Sequence, residues 1–196
     1  MHYKNYQYAR NKSWEALLKS KINSLPVNLA AVANCYGIKI VAYSSTSFIH
    51  ALKPEAVSGD GFSAQINFKK IIFINDTVPN YNRRRFTLAH ELGHCILEHP
   101  LDNIQFRTNE FYDSKQALEA EANVFARDLL MPAVVLAKMN VHNADEIMKL
   151  CKTSKQSAAI RAERLAKLYE RNMFCTHPYE KAIVEQFKEY IEQFKL

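Results

Sequence analysis

The sequence predicts an α+β fold: a small three-stranded sheet in the N-terminal half, packed on a mainly helical remainder. Short alternating, β-branched runs are confined to residues 38–75. From Asn82 onward the apolar spacing becomes helical and stays so. The chain has 196 residues, 48% of them hydrophobic, with only four Gly and six Pro, so it can bury a core without staples or long linkers.

The elements follow in order. Residues 13–22 place Trp14, Leu17, Leu18 and Ile22 at helical spacing. Pro26 suits a first turn, so a second helix is predicted from there to Gly37. Residues 38–43 (IKIVAY) alternate and read as a strand, and GFSAQINF (61–68) and KKIIFIN (69–75) as two more, closed by an Asn75–Asp76 turn. Helices are predicted at 82–98, 114–130, 132–140, 143–151, 154–170 and 178–194.

Composition narrows the function classes. A net charge of +6 and a pI near 9.1 suit a nucleic-acid or acidic-protein partner, and suit an ordinary basic surface equally, since no block of five like charges marks a binding tail. Cys35, Cys95, Cys151 and Cys175 are widely spaced, which argues against a disulfide framework and a thiolate zinc cluster. No stretch resembles a signal peptide or approaches the roughly 18 apolar residues of a membrane span, so the expectation is a soluble cytoplasmic protein.

The chemistry concentrates in RRRFTLAHELGHCILEH, residues 83–99. His90 and His94, four apart, lie one turn above each other on one helix face and can both reach one zinc at about 2.0–2.1 Å. Glu91, offset by about 100°, cannot comfortably join them as a ligand, but it can take the proton of a water polarised there. The alternative is a pair of satisfied structural histidines, disfavoured because Phe86, Ala89, Leu92, Gly93, Ile96 and Leu97 describe a buried helix. Gly93 allows either a strand or bound peptide to approach, or plain helix packing. His99, five residues past His94, is expected to point away from it.

A catalytic zinc needs a third protein ligand and an open position. Glu119 and Glu121 are two apart in ALEAEANVFARDLLMP (117–132), so they face different ways and one alone can ligate. Glu119 is chosen because its face continues through Ala122, Asn123 and Ala126, small or polar residues that let this helix approach the histidines. Asn123, one turn on, can hydrogen-bond a ligand histidine. Glu121 is expected to be a solvent-exposed helix charge.

RRRFTLAHELGH followed by E-x-E-A-N-x-F-A-x-x-L-L-M-P resembles the ImmA/IrrE family of metallopeptidases, with a thermolysin-like zinc site. The likeness extends to residues 25–43, 61–75 and 153–168, covering roughly residues 14–170. It implies a zinc metallo-endopeptidase holding one zinc per chain, with His90, His94 and Glu119 as ligands and Glu91 as catalytic base. Asn123 stands where thermolysin-like sites have a carboxylate. Arg161 matches an arginine of the family's later helix, with an oxyanion-stabilising role expected against the alternative of an exposed helix residue. The implied organisation is a peptidase domain over 1–170, including a helix-turn-helix-like segment at 143–168, and a C-terminal helical extension at 171–196. In that extension His177 either approaches the site or is structural. The implied substrate is a specific cytoplasmic protein, a helix-turn-helix transcriptional repressor whose cleavage derepresses genes of a phage, mobile element or stress response.

The rival class is a DNA-binding or protein-binding regulator with a non-catalytic metal site. In it, segment 143–168 docks on DNA through Arg161, Arg164, Lys167 and Arg171. Ala158, Ala159, Ile160, Ala162, Leu165 and Leu168 leave that segment few side chains to read bases. A scaffold without activity would have no need to keep Glu91.

Overall fold

The computed structural model describes residues 3–46, 59–103 and 112–194. The fold is α+β, as expected. Helix α1 (Tyr3–Lys19) is followed by α2 (Leu29–Cys35), strand β1 (Lys39–Ala42) and a short 3-10 turn, then the hairpin of β2 (Gly61–Ile66) and β3 (Lys69–Ile74). Helix α3 (Tyr81–Ile96) and strand β4 (Asp102–Asn103) precede α4 (Tyr112–Leu130), α5 (Ala133–Lys138), α6 (Ala144–Cys151), α7 (Lys155–Glu170), α8 (Pro178–Gln186) and α9 (Lys188–Gln193).

The three expected strands form a mixed sheet in the order β1-β3-β2, with β1 parallel and β2 antiparallel to β3. The two-residue β4 adds to the outer edge of β2 at Ala64 and Gln65. Asn67 and Phe68 turn the hairpin with φ of 48° and 61°, the left-handed pair of a type I′ loop. Gly37, at φ +65°, ends α2 where a stop was expected, although α2 begins only after Asn28, whose side chain accepts from Ala31 N.

Two boundaries differ instructively. Helix α1 starts ten residues before the predicted 13–22 segment. Its first half is too polar to show an apolar stripe, and tertiary contacts hold it: Ala9 is fully buried, and Tyr6 meets the Arg127 guanidinium at 5.4 Å. The predicted 178–194 helix breaks at the fully buried Phe187, whose backbone (φ −94°, ψ 5°) leaves the helical well. Ile183, Phe187 and Ile191 enter the same core as Leu17, Leu92 and Phe125.

That core fixes α3 between the sheet and α4, while α1 covers the other side of α4. Gly93 decides how closely the two central helices approach. A Cβ there would stand 3.2 Å from Ala122 Cα and O and from Phe125 Cδ1. Of the two readings of Gly93, close helix packing is the one the fold uses.

A buried ion cluster ties α4 to α7. Asp128 lies between Arg127 (Nη2–Oδ2 2.6 Å) and Arg161 (Nη2–Oδ1 2.5 Å), and all three residues are buried. Burial alone would raise the Asp128 carboxyl, but the two guanidiniums outweigh it and hold it below the usual carboxylate range. Removing the carboxylate would strand two buried cations. Asp128→Ala should therefore destabilise the protein by about 3–5 kcal/mol in denaturant titration at pH 7. Because the folded value is depressed, this contribution is present above about pH 4 and is lost as pH falls through the folded value. The gap between wild type and variant should accordingly narrow in acid.

Candidate metal centre

Helix α3 is capped by Asn80, whose side chain accepts from Arg83 N, and its interior is held by Ala89, Leu92, Cys95 and Ile96 against the sheet and α4. This anchoring presents His90 and His94 on one face toward α4. Their Nε2 atoms lie 3.0 Å apart. Glu119 reaches both from α4, at 3.1 Å to His90 Nε2 and 3.6 Å to His94 Nε2.

The three donor atoms lie within 4.8 Å of one another, forming the one such histidine, cysteine and carboxylate group among the described residues. Ligands at 2.0–2.1 Å from a tetrahedral zinc stand about 3.3 Å apart, and the observed separations bracket that spacing. The donor set therefore fits a metal ion. The histidine side chains are 15% and 12% exposed and Glu119 45%, so one side of the centre opens to solvent.

Hydrogen bonds decide which ring nitrogens keep a free lone pair. His90 Nδ1 faces Asn123 Oδ1 at 3.1 Å, so Nδ1 carries the proton and Nε2 keeps a free lone pair. Asn123 thus stands where the sequence placed it. His94 is pushed down to about 4, first by burial and then by the neighbouring His90, which keeps the ring neutral and able to ligate. Glu91 follows His90 on α3, outside the three-atom group and half-buried. Its charge is felt at Tyr43, where burial and then Glu91 raise the phenol to about 12.

Three expectations need correction. His99 does not point away: its Nδ1 lies 3.0 Å from His94 Nδ1. The wheel extrapolation fails because α3 has already ended. Glu98 takes a left-handed conformation (φ 60°) and His99 N bonds to His94 O at 3.0 Å, folding the chain back. Glu121 is not an exposed charge. It is 7% exposed and accepts from Asn5 Nδ2 at 2.7 Å, with His99 Nε2 at 3.3 Å. Arg161 is neither an exposed residue nor a cation facing the histidines, being 3% exposed with its Nη2 bonded to Asp128 and to Arg127 O. A signal existed in the sequence, because Ala158 and Leu165, three before and four after, share its buried face.

The remaining residues resolve simply. His177 caps α8, accepting from Tyr179 N, and packs on Trp14 at 5.3 Å. Cys35, Cys95, Cys151 and Cys175 are free thiols, with Cys95 and Cys151 pushed up to about 12 by burial. Helices α6 and α7 follow one another through Lys152–Ser154, and on α7 Arg161 faces inward, Arg164 bonds Tyr6, and Lys167 pairs with Glu163.

A family model described as the IrrE N-terminal-like domain matches residues 33–163. The chain is 38% identical over 78 residues to an uncharacterized immunity region protein of Bacillus phage phi105, covering 40% of this chain and 48% of that protein. It is 39% identical over 72 residues to the radiation response metalloprotease IrrE of Deinococcus radiodurans, covering 35% of this chain and 21% of that protein. The chain thus spans at most about half the length of these curated relatives. Among the described residues, no helix is long and apolar enough to cross a membrane.

Metal analysis of the purified protein should give one ion per chain. Glu119→Ala should lose it at micromolar protein, while Glu121→Ala should still saturate with one ion at higher metal. Loss of stoichiometric metal from Glu121→Ala alone would show that the wrong carboxylate has been chosen.

Proposed function

The chain belongs to the peptidase family described as the IrrE N-terminal-like domain, and from that premise we propose that it is a zinc-dependent endopeptidase cleaving a specific cytoplasmic helix-turn-helix repressor. The family implies a metal ion, and the observation that carries the reading is the convergence of His90, His94 and Glu119 beside Glu91. A bound zinc would supply Lewis acidity to the scissile carbonyl and lower the pKa of water at the site. Asn123 holds the His90 ring with its lone pair toward Glu119. Glu91 takes the proton of the attacking water and passes it to the leaving amine nitrogen, so one residue serves both halves of the reaction.

The surroundings suit a polypeptide. A cavity of about 850 Å³ is lined by residues of α3, α4 and α7, among them apolar Phe86, Val124, Met131 and Ile160 and the cations Arg83 and Arg164, and its lining residue Asn123 bonds His90. The extended segment GFSAQINF, which carries β2, is our candidate edge for a substrate strand to pair by backbone hydrogen bonds. Such pairing reads backbone, so selectivity comes from docking elsewhere, for which the basic C-terminal helices are our candidate. The relatives' names, an immunity region protein of a phage and a radiation response metalloprotease, accord with a regulatory protease acting on a repressor. Direct DNA binding by α7 is set aside because Arg161 is buried in an ion cluster.

Two measurements test this. Glu91→Gln should keep its zinc yet lose about 10²- to 10⁴-fold in turnover, with the upper end expected because the same residue generates the nucleophile. Near-normal turnover would sink the mechanism whatever the metal content. The purified protein should cut a helix-turn-helix repressor encoded beside it at one or few bonds, stop when chelator is added, and leave casein intact. Cleavage that survives chelation, or rapid digestion of casein with the repressor untouched, would defeat the reading.

A further inference from the structure

Beyond the ligand set lies a chain of side chains that ends on an element outside the matched family region. His94 Nδ1 meets His99 Nδ1 at 3.0 Å, His99 Nε2 meets Glu121 Oε2 at 3.3 Å, and Glu121 Oε1 accepts from Asn5 Nδ2 at 2.7 Å. His99 and Glu121 are 7% exposed, and α1, which carries Asn5, precedes the matched residues 33–163.

We propose that His99, Glu121 and Asn5 are positioning residues of the metal centre, fixing the tautomer and orientation of His94 from the side opposite Glu119. The proposal rests on His94 being a metal ligand.

One proton arrangement satisfies every contact of this relay, and it leaves the facing Nε2 lone pairs of His90 and His94, 3.0 Å apart, to a shared cation. His94 Nε2 faces His90 and Glu119, so it must keep its lone pair to ligate, and its proton sits on Nδ1. Two nitrogens 3.0 Å apart need one donor and one acceptor, which makes His99 Nδ1 the acceptor. The proton of His99 is then on Nε2, where a carboxylate oxygen receives it. Glu121 has a second oxygen to satisfy, and Asn5 supplies a donor to it. Reversing any single bond would leave two donors or two acceptors facing each other.

The arrangement makes sense of two carboxylates on different faces of α4. Glu119 acts at Nε2 of His94, and Glu121, relayed through His99, acts at Nδ1 of the same ring. A carboxylate behind a ligand imidazole raises its basicity and holds its plane, and such partners typically matter 10- to 100-fold in metal affinity, about as much as many direct contacts. His90, by contrast, has a neutral amide behind it. The two histidines of the motif are therefore unequal, His94 being the more strongly supported. The N-terminal helix is drawn into the site through one amide.

Two independent readouts test the proposal. Nitrogen-15 NMR at pH 8, on the protein stripped of metal, reports each histidine tautomer. His94 should be protonated on Nδ1 and His99 on Nε2, and Glu121→Leu should release His99 from that single form. Cobalt titration followed by its visible spectrum then reports the ligand field. His99→Leu should weaken cobalt binding about 10- to 100-fold and shift the bands. His99→Asn, which returns an acceptor near the Nδ1 position, should recover part of that loss, and Asn5→Ala should show a smaller loss in the same direction. Thermal unfolding without metal separates packing from positioning. His99→Leu that binds cobalt like wild type with an unchanged spectrum, or His99 protonated on Nδ1, would overturn the proposal. The locked tautomers in a wild-type protein that takes up no cobalt would instead uphold the relay and overturn the metal reading.

Discussion

Where Gly93 on α3 meets Ala122 on α4, the helices approach until an added Cβ would stand 3.2 Å from backbone atoms. That contact is what lets a carboxylate from one helix reach two imidazoles on the other. Glu119 lies one turn before Asn123 and three residues before Ala122, so small changes in the spacing of the helices act directly on the 3.1 and 3.6 Å separations to His90 and His94. Gly costs roughly 1 kcal/mol relative to Ala in a helix interior. The close approach outweighs that cost because a buried backbone cannot yield to a methyl group cheaply.

Charge inside the fold is arranged around the same helix. Along α4, Glu119 and Asn123 face the histidines, Glu121 turns to His99 and Asn5, and Asp128 holds Arg127 and Arg161. Each buried carboxylate has a partner on another element or beside it, as burial of charge demands. The result is a helix clamped to α3, α1 and α7 by polar as well as apolar contacts. The three candidate donors gain their rigidity from these neighbours, since Glu119 itself is the most exposed of them.

Much of this was legible in the sequence where the information is local. The period of four between His90 and His94, the small face of Ala122, Asn123 and Ala126, and the alternating strands at 61–75 are patterns within one element, and they pointed to the sheet and to the three side chains that the fold brings within 4.8 Å of one another. What escaped depends on chain reversal or docking. His99 reaches His94 only because Glu98, with no glycine to announce it, adopts φ 60° at the helix end. Glu121 is buried only because α1 lies over it, and the polar first half of α1 gives no amphipathic signal. Arg161 is the instructive error. A family resemblance placed it at the oxyanion, whereas its own neighbours Ala158 and Leu165 already placed it in the interior.

The central claim is that His90, His94 and Glu119 hold a single zinc through Nε2, Nε2 and a carboxylate oxygen. X-ray absorption spectroscopy on the zinc-loaded protein tests it most directly. The expected result is one zinc per chain with a nitrogen and oxygen shell at about 2.0–2.1 Å and the outer-shell scattering of two imidazoles. A sulfur shell near 2.3 Å, or a fit that demands a single imidazole, would contradict it.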